Sequence, residues 1–197
     1  MDNLRTAEEM YKYCIDNHLG VGFSKSWSIK HFQLIVNNLQ IGESVYCVFI
    51  GLHNYTGYSK HNNYYAYAIT NRRIIMGQQR VFGAYVQSIN IENINDITMK
   101  KSGVLGLGLG IICIDSYKET FNVGVNNNFV HNYYKRINEA WNTAQYSRSN
   151  LTSSHKLDKE SAERSSVLQL KDMKELLDMG IISQAEFEKK KKDILGL

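Results

Sequence analysis

Between Glu43 and Val125 the chain breaks into seven short runs: "ESVYCVFIGLH", "YYAYAIT", "RRIIMGQ", "AYVQSINI", "NDITMKK", "LGIICID" and "TFNVGV". Each is rich in Val, Ile, Tyr, Phe and Thr, and clusters of Asn, Gly, Lys or Ser separate them. That is the composition of strands joined by turns. Seven candidate strands in about 85 residues argue for a sandwich or a barrel, and this constrains the fold more than any other feature of the sequence.

Helical spacing frames the strands on both sides. From Asp2 to Leu19, residues Leu4, Met10 or Tyr11, Cys14, Ile15 and His18 recur three and four apart, so the chain is expected to open with a helix. Thr6 and Glu9 fit a capping box, and Gly20 is the expected stop. A second helix is expected over Ser28 to Leu39, with Ile29, Phe32, Val36 and Leu39 as its apolar face and Ser28 as N-cap. After the strands, Asn127 to Ala144 returns to helical spacing, with Val130, Tyr134, Ile137, Trp141 and Ala144 on one side. The expected class is α+β: a seven-stranded barrel or sandwich capped by a C-terminal helix.

The segment "YAYAITNRRIIMG" resembles the strand-turn-strand signature of bacterial pleckstrin-homology-like domains, in which a Thr-Asn-Arg-Arg turn joins two strands. The order of seven strands and a helix matches that fold, and the resemblance places it at about residues 41–145, after N-terminal helices over 1–40. The closing stretch, Val167 to Leu197, is similar to the short C-terminal (SHOCT) domain: a leucine-rich helix, an "MGIIS" turn, "EF", then a lysine-rich helix.

The same closing stretch reads as a helical hairpin on its residues alone. Leu170, Met173, Leu176 and Leu177 form a stripe, and Gly180 suits the left-handed end of a helix. Ser183 and Glu186 fit a capping box for the second helix, which offers Phe187 and Ile194 as apolar contacts. Residues 146–166 are polar and rich in Ser, Lys and Asp, as a linker or a frayed helix would be. A piece of about thirty residues is below the ~40 at which domains usually need metals, disulfides or oligomerisation to stand alone. The stripe is therefore expected to be covered by a second copy, a partner protein or the main domain.

Composition and motifs narrow the function. No signal peptide pattern opens the sequence, and the longest apolar run, Val104 to Ile114, falls short of the ~18 residues that suggest a membrane span, so a cytoplasmic protein is expected. Cys14, Cys47 and Cys113 are odd in number and far apart, the pattern of reduced core residues. Proline is absent and Asn, Lys, Ile and Tyr are abundant, which is associated with AT-rich bacterial or phage genomes. The net charge of +4 sits in residues 1–150, with 14 basic against 10 acidic side chains, while residues 151–197 carry 9 of each.

Catalytic signatures are missing. The series Gly103, Gly106, Gly108, Gly110 lacks the Gly-Lys-Ser/Thr of a phosphate loop and the G-x-G-x-x-G of a dinucleotide site, and in a strand context marks bulges or close backbone approach. His18, His31, His53, His61, His131 and His155 show no metal-ligand spacing, and no serine sits in a nucleophile elbow. No enzyme activity, metal or cofactor is expected. Two stretches offer binding surfaces. In "HNYTGYSKHNNYY", Tyr55, Tyr58, Tyr64 and Tyr65 alternate with Asn, Gly, Ser and Lys, a mixture suited to adaptable contacts. Arg72, Arg73, Arg80, Lys100 and Lys101 form a basic set, with Lys60 in the first loop, where eukaryotic relatives of the fold carry basic residues that bind inositol phosphates. The binding candidates are therefore Tyr55, Tyr58, Lys60, Tyr64, Arg72 and Arg73. The assembly candidates are Leu170, Met173, Leu176, Leu177, Phe187 and Ile194. The expected work is protein-protein interaction or homo-oligomerisation, with peripheral binding of anionic lipid or nucleic acid as the alternative.

Overall fold

The structure, a computed structural model, describes residues 4–20, 22–57, 59–101, 108–179 and 183–195, with only the backbone described over 150–167 and at 195. It divides into two compact units, Met1–Arg148 and Ser149–Leu197.

All seven expected strands form: β1 (Val45–His53), β2 (Tyr64–Thr70), β3 (Arg73–Gln79), β4 (Ala84–Asn90), β5 (Ile94–Lys100), β6 (Leu109–Ser116) and β7 (Thr120–Asn126). They make one antiparallel sheet in the order β4-β3-β2-β1-β7-β6-β5, curled into a half-barrel that leaves β4 and β5 as its edges. A 3₁₀ turn at Ile91–Asn93 carries the chain from one edge to the other. Strand β6 alternates between buried and half-buried residues, as a strand with one covered face should. Strands β1 and β2 are buried almost throughout because both their faces are covered. Inside, Phe49 and Tyr67 stack with centroids 4.6 Å apart, and His53 sits among Tyr65, Tyr67 and Phe121.

The first helix, α1 (Ala7–Asp16), has the expected Thr6–Glu9 capping box. It stops earlier than expected: His18, not Gly20, takes the left-handed conformation (φ 56°), and its ring stacks on Phe129. Helix α2 (Lys25–Asn37) also starts earlier. Ser24 is the N-cap and accepts from the Trp27 N–H, while Ser28 lies inside the helix and donates to the Ser24 carbonyl. Its buried line is Ser28, His31, Phe32 and Ile35, turned about one residue from the apolar line, because Ile35 and not Val36 meets the sheet.

Between its two ends β1 would otherwise expose a raw edge, since β7 meets it only at Leu52 and His53. The segments around α1 close that gap group by group. The Leu4 N–H donates to Val45 O, the Cys14 thiol to Val48 O, and the Ile50 N–H to Leu19 O. The Tyr133 hydroxyl, from the next helix, donates to Ile50 O at 3.2 Å. Buried backbone groups need such partners, so the N-terminal helices are part of the barrel and not an appendage.

Helix α3 (Val130–Asp178) supplies the last helix of the first unit and the first of the second. Its buried line in the first unit is Val130, Tyr133, Ile137, Ala140 and Ala144; Tyr134 and Trp141 flank it half-buried. The small Ala140 and the hydroxyl of Tyr133 suit the close side of the helix better than the bulkier neighbours do. Gly110 permits the approach, since a Cβ there would lie 2.5 Å from that of Val130. Gly103 and Gly106 lie outside the described residues. The polar stretch 146–166 is helical backbone within α3.

In the second unit, α4 (Gln184–Leu195) begins with the expected box: Ser183 N–H donates to Glu186 Oε2 at 2.8 Å, and Glu186 N–H returns to Ser183 Oγ. Gly180 lies outside the described residues. Leu170, Met173, Leu176, Leu177, Phe187 and Ile194 are all half-buried, whereas Leu168 and Met179 are exposed. No described residue of this unit is fully buried.

Candidate functional site

The hydrogen bonds of the Thr-Asn-Arg-Arg turn determine what its basic residues can do. The Thr70 hydroxyl accepts the N–H groups of Arg72 and Arg73 and lies 2.8 Å from Glu43 Oε1, closing the β2–β3 connection. Asn71 reaches back to the segment before β1, accepting from Ser44 N–H and donating to Gly42 O. Arg73 grips the Glu43 carboxylate with Nε and Nη2, both at 2.9 Å, and donates to Asn38 O at the end of α2. The Glu43 side chain is fully covered. Burial alone would raise its pKa, but bonds from Arg73, the Gln40 N–H and Thr70 outweigh that and hold it below the usual carboxylate range. The signature is thus a structural latch. Arg73 is occupied by it, and exposed Arg72 bonds to Gln40.

The tyrosine-rich loop is divided by burial. Tyr55 is buried, with its ring against Gly124 and its N–H donating to Asn122 O. Tyr65 is buried inside the barrel, and Tyr64 is 39% exposed. Tyr58 lies outside the described residues. Lys60 is exposed, and its backbone closes a small turn with Thr56 and Gly57. Of the binding candidates among the described residues, Tyr64 alone lines a sizeable cleft.

That cleft, about 710 Å³, opens at the end of the barrel where the β1–β2 and β3–β4 connections meet the start of α2. Three separate segments build it. From α2 come Trp27 and His31, one helical turn apart and stacked with centroids 3.5 Å apart. The His31 Nδ1 lies 2.9 Å from Trp27 O and donates to it, which leaves Nε2 as the acceptor, and burial pushes the imidazole pKa down so that the ring is neutral. Phe23 joins the stack, packing against Trp27 at 4.8 Å and edge-on to Tyr64 at 4.7 Å.

From the β1–β2 loop come His61, Asn62, Asn63 and Tyr64. Asn63 adopts φ 66°, a left-handed conformation that Asn tolerates, and its carbonyl accepts the His53 N–H. From β3 and its turn come Gln78, Gln79, Arg80 and Val81. Gln78 is buried; its amide donates to Asn62 O and its oxygen accepts from Arg80 Nε at 2.8 Å. The Arg80 guanidinium also lies over the Tyr85 ring at 5.3 Å. At the turn, Val81 and Phe82 are 92% and 94% exposed.

The lining is therefore aromatic and amide, with one arginine and no carboxylate. Amide side chains offer a donor and an acceptor each, of which the Gln78 amide and the Gln79 Nε2 are already engaged by Asn62, Arg80 and Gly83, and aromatic faces give contact area at low entropy cost. Sequence reading did not single out Trp27, Asn62, Asn63, Gln78 and Gln79, which line the cleft. The i,i+4 pair Trp27–His31 was the one signal in the sequence. Deeper in the barrel, His53 holds Tyr67 at 2.9 Å through Nδ1 and Gln87 at 3.1 Å through Nε2, and burial pushes its pKa down to about 4. This buried cluster is separate from the cleft lining.

Among the described residues, no group of three His, Cys, Asp or Glu converges, and no helix is long and apolar enough to cross a membrane. The family model for a bacterial PH domain matches residues 39–139, and that for the short C-terminal domain, SHOCT, matches residues 169–195. Both are non-catalytic domain types that suggest a binding or assembly module. No curated protein matches the chain. Among solved structures the chain is similar to the C-terminal domain of an unknown protein from Leishmania infantum, at 18% identity over 57% of this chain and 92% of that one, with a TM-score of 0.41. It is also similar to Vav1 inhibited by an allosteric inhibitor, at 10% identity over 68% of this chain and 34% of that one, with a TM-score of 0.41.

Proposed function

The chain belongs to the bacterial PH domain family, and from that premise we propose that it is a non-enzymatic binding and assembly protein whose barrel takes a polypeptide partner in the cleft of Trp27, His31, Tyr64 and Gln79. The lining of that cleft carries the reading. A phosphate-bearing ligand calls for several free cations, whereas among the described residues Arg80 is the one Lys or Arg in the lining, Arg73 is engaged by Glu43 and Arg72 bonds to Gln40. Paired donors and acceptors beside aromatic faces match a peptide backbone and its side chains instead.

The second half of the proposal concerns the hairpin. Its half-buried stripe of Leu170, Met173, Leu176, Leu177, Phe187 and Ile194 pairs with another copy or docks on a partner, because a helix as short as the 12-residue α4 draws most of its stability from packing an apolar face.

Two measurements test the barrel's role. Sedimentation with anionic vesicles or an oligonucleotide at two salt concentrations should show little binding; binding that falls steeply with salt would replace the peptide reading with a phosphate one, because neutralised phosphates release counterions. A polypeptide captured by the native chain should be lost with Tyr64→Ala plus Gln79→Ala while the melting temperature holds. Capture that survives both changes removes the cleft from the proposal.

A further inference from the structure

The two edges of the half-barrel are defended very differently. On β5, the Asp96 carboxylate accepts the N–H of the adjacent Ile97 at 2.8 Å, the ladder is irregular between Ile94 and Asp96, and Lys100 ends the strand. Charges, irregularities and self-bonded amides are how an edge refuses another strand. Strand β4, "AYVQSIN", has no charge and no proline, and pairs with β3 in unbroken register from Arg73↔Asn90 to Gln79↔Ala84.

The ends of that ladder fix which groups point outward. The Arg80 N–H donates to Gly83 O and the Ile91 N–H donates to Arg72 O, so Gly83 and Ile91 face β3. Antiparallel pairs alternate, so Tyr85, Gln87 and Ile89 also face β3, while Ala84, Val86 and Ser88 turn both N–H and C=O away. Among the described residues no hydrogen bond reaches those outward groups. The side chains of Ala84 and Ser88 are exposed and that of Val86 half-buried; the Arg73 guanidinium touches the Ser88 hydroxyl at 3.4 Å, and no hydrogen bond from it reaches the outward backbone groups.

We propose that β4 is an interface for a second copy of this chain, the two strands pairing antiparallel about a two-fold axis at Val86. In that register Ala84 meets Ser88 of the other copy, Val86 meets itself, and every outward donor and acceptor of the three residues is satisfied. A neutral strand brings no like charges together on self-pairing. The same register brings the end near Arg80 to the end near Glu92, each already engaged within its own chain, by Gln78 and by Arg148, so no like charges meet there. It also carries the exposed Val81–Phe82 tip toward Asn90 and Ile91 of the other copy, giving cover to the most exposed apolar pair of the barrel. This goes beyond the hairpin and uses a different surface.

The test uses the full chain carrying Leu176→Asp, which disables the hairpin, examined by light scattering after size exclusion from low to high micromolar concentration. It should still form a dimer as concentration rises. Val86→Lys sets two cations against each other at the axis and should halve the mass; Val86→Glu should do the same, and mixing the two variants should restore the dimer. Should either fail to fold, Ser88→Pro removes one outward N–H without touching the β3 ladder and should also give a monomer. A Leu176→Asp chain that stays monomeric throughout, or variants that remain dimeric, would overturn the interface. If Leu176→Asp leaves the native mass unchanged, the hairpin reading fails while the response at Val86 still decides this one.

Discussion

The barrel and the hairpin both draw on Leu, Ile and Met, yet they finish differently. In the first unit, Phe32, Ile35, Phe49, Tyr67, Ile74 and Ile75 have essentially no exposure, and the raw edge of β1 is closed by α1 and Tyr133. In the second, every apolar residue of the stripe stops at half-buried. A curled sheet with helices on its faces covers its own apolar surface; a bare pair of helices covers far less of it. On the proposal above, one unit is specified by its interior and the other by what covers its stripe.

The largest expected effect falls on the latch. Glu43→Ala strands Arg73 and uncaps Thr70, and breaking a buried ion pair costs about 3–5 kcal/mol. Urea unfolding should show that loss in the barrel while assembly through the hairpin persists. A loss under 1 kcal/mol would mean the first unit owes less to its closed interior than the comparison claims.

Protonation sharpens the contrast. His53 titrates at about 4 in the fold and at about 6.5 in an unfolded chain, so the unfolded state takes up the proton first. Stability is full above about pH 6.5, falls as pH drops toward 4 and flattens below, a loss of about 2–3 kcal/mol. Glu43, held low by Arg73, adds its own loss only in the lower, carboxylate range. Unfolding measured across this window should show the slope, and His53→Gln should remove most of it.

Packing gives a smaller step. A Cβ at Gly110 would press on Val130, and overpacking of this kind costs about 1–3 kcal/mol. Gly110→Ala should lower the melting temperature, and Val130→Ala in the same chain should relieve part of the loss. If the two losses simply add, α3 does not approach β6 as described.

How much of this was legible follows from what each residue has beside it in sequence. The strands were, because their alternation and turn residues are local. So were both capping boxes, which span four residues each. The start of α2 was not, since Ser24 and Ser28 are equally good caps until the sheet decides which face of the helix is buried. Nor was the role of Arg73: its partner Glu43 lies thirty positions earlier, and an arginine in a turn looks free until that partner is seen. Tyr55 and Tyr64 share a loop and a composition, and only the approach of Gly124 tells the buried one from the exposed one. The cleft draws on α2, the β1–β2 loop and β3, and Asn and Gln carry no periodic signal that would have joined them.

The smallest expected effect on stability belongs to the most telling substitution. Leu176→Asp lies in the second unit, so the barrel's unfolding should shift by no more than about 0.5 kcal/mol, as for a surface change. Its mass should change instead. Light scattering coupled to size exclusion should give an assembly larger than one chain for the native protein and a smaller one for Leu176→Asp, at the same melting temperature. A native chain that is already monomeric at tens of micromolar would contradict the account, because the hairpin's stripe would then be covered without any second molecule.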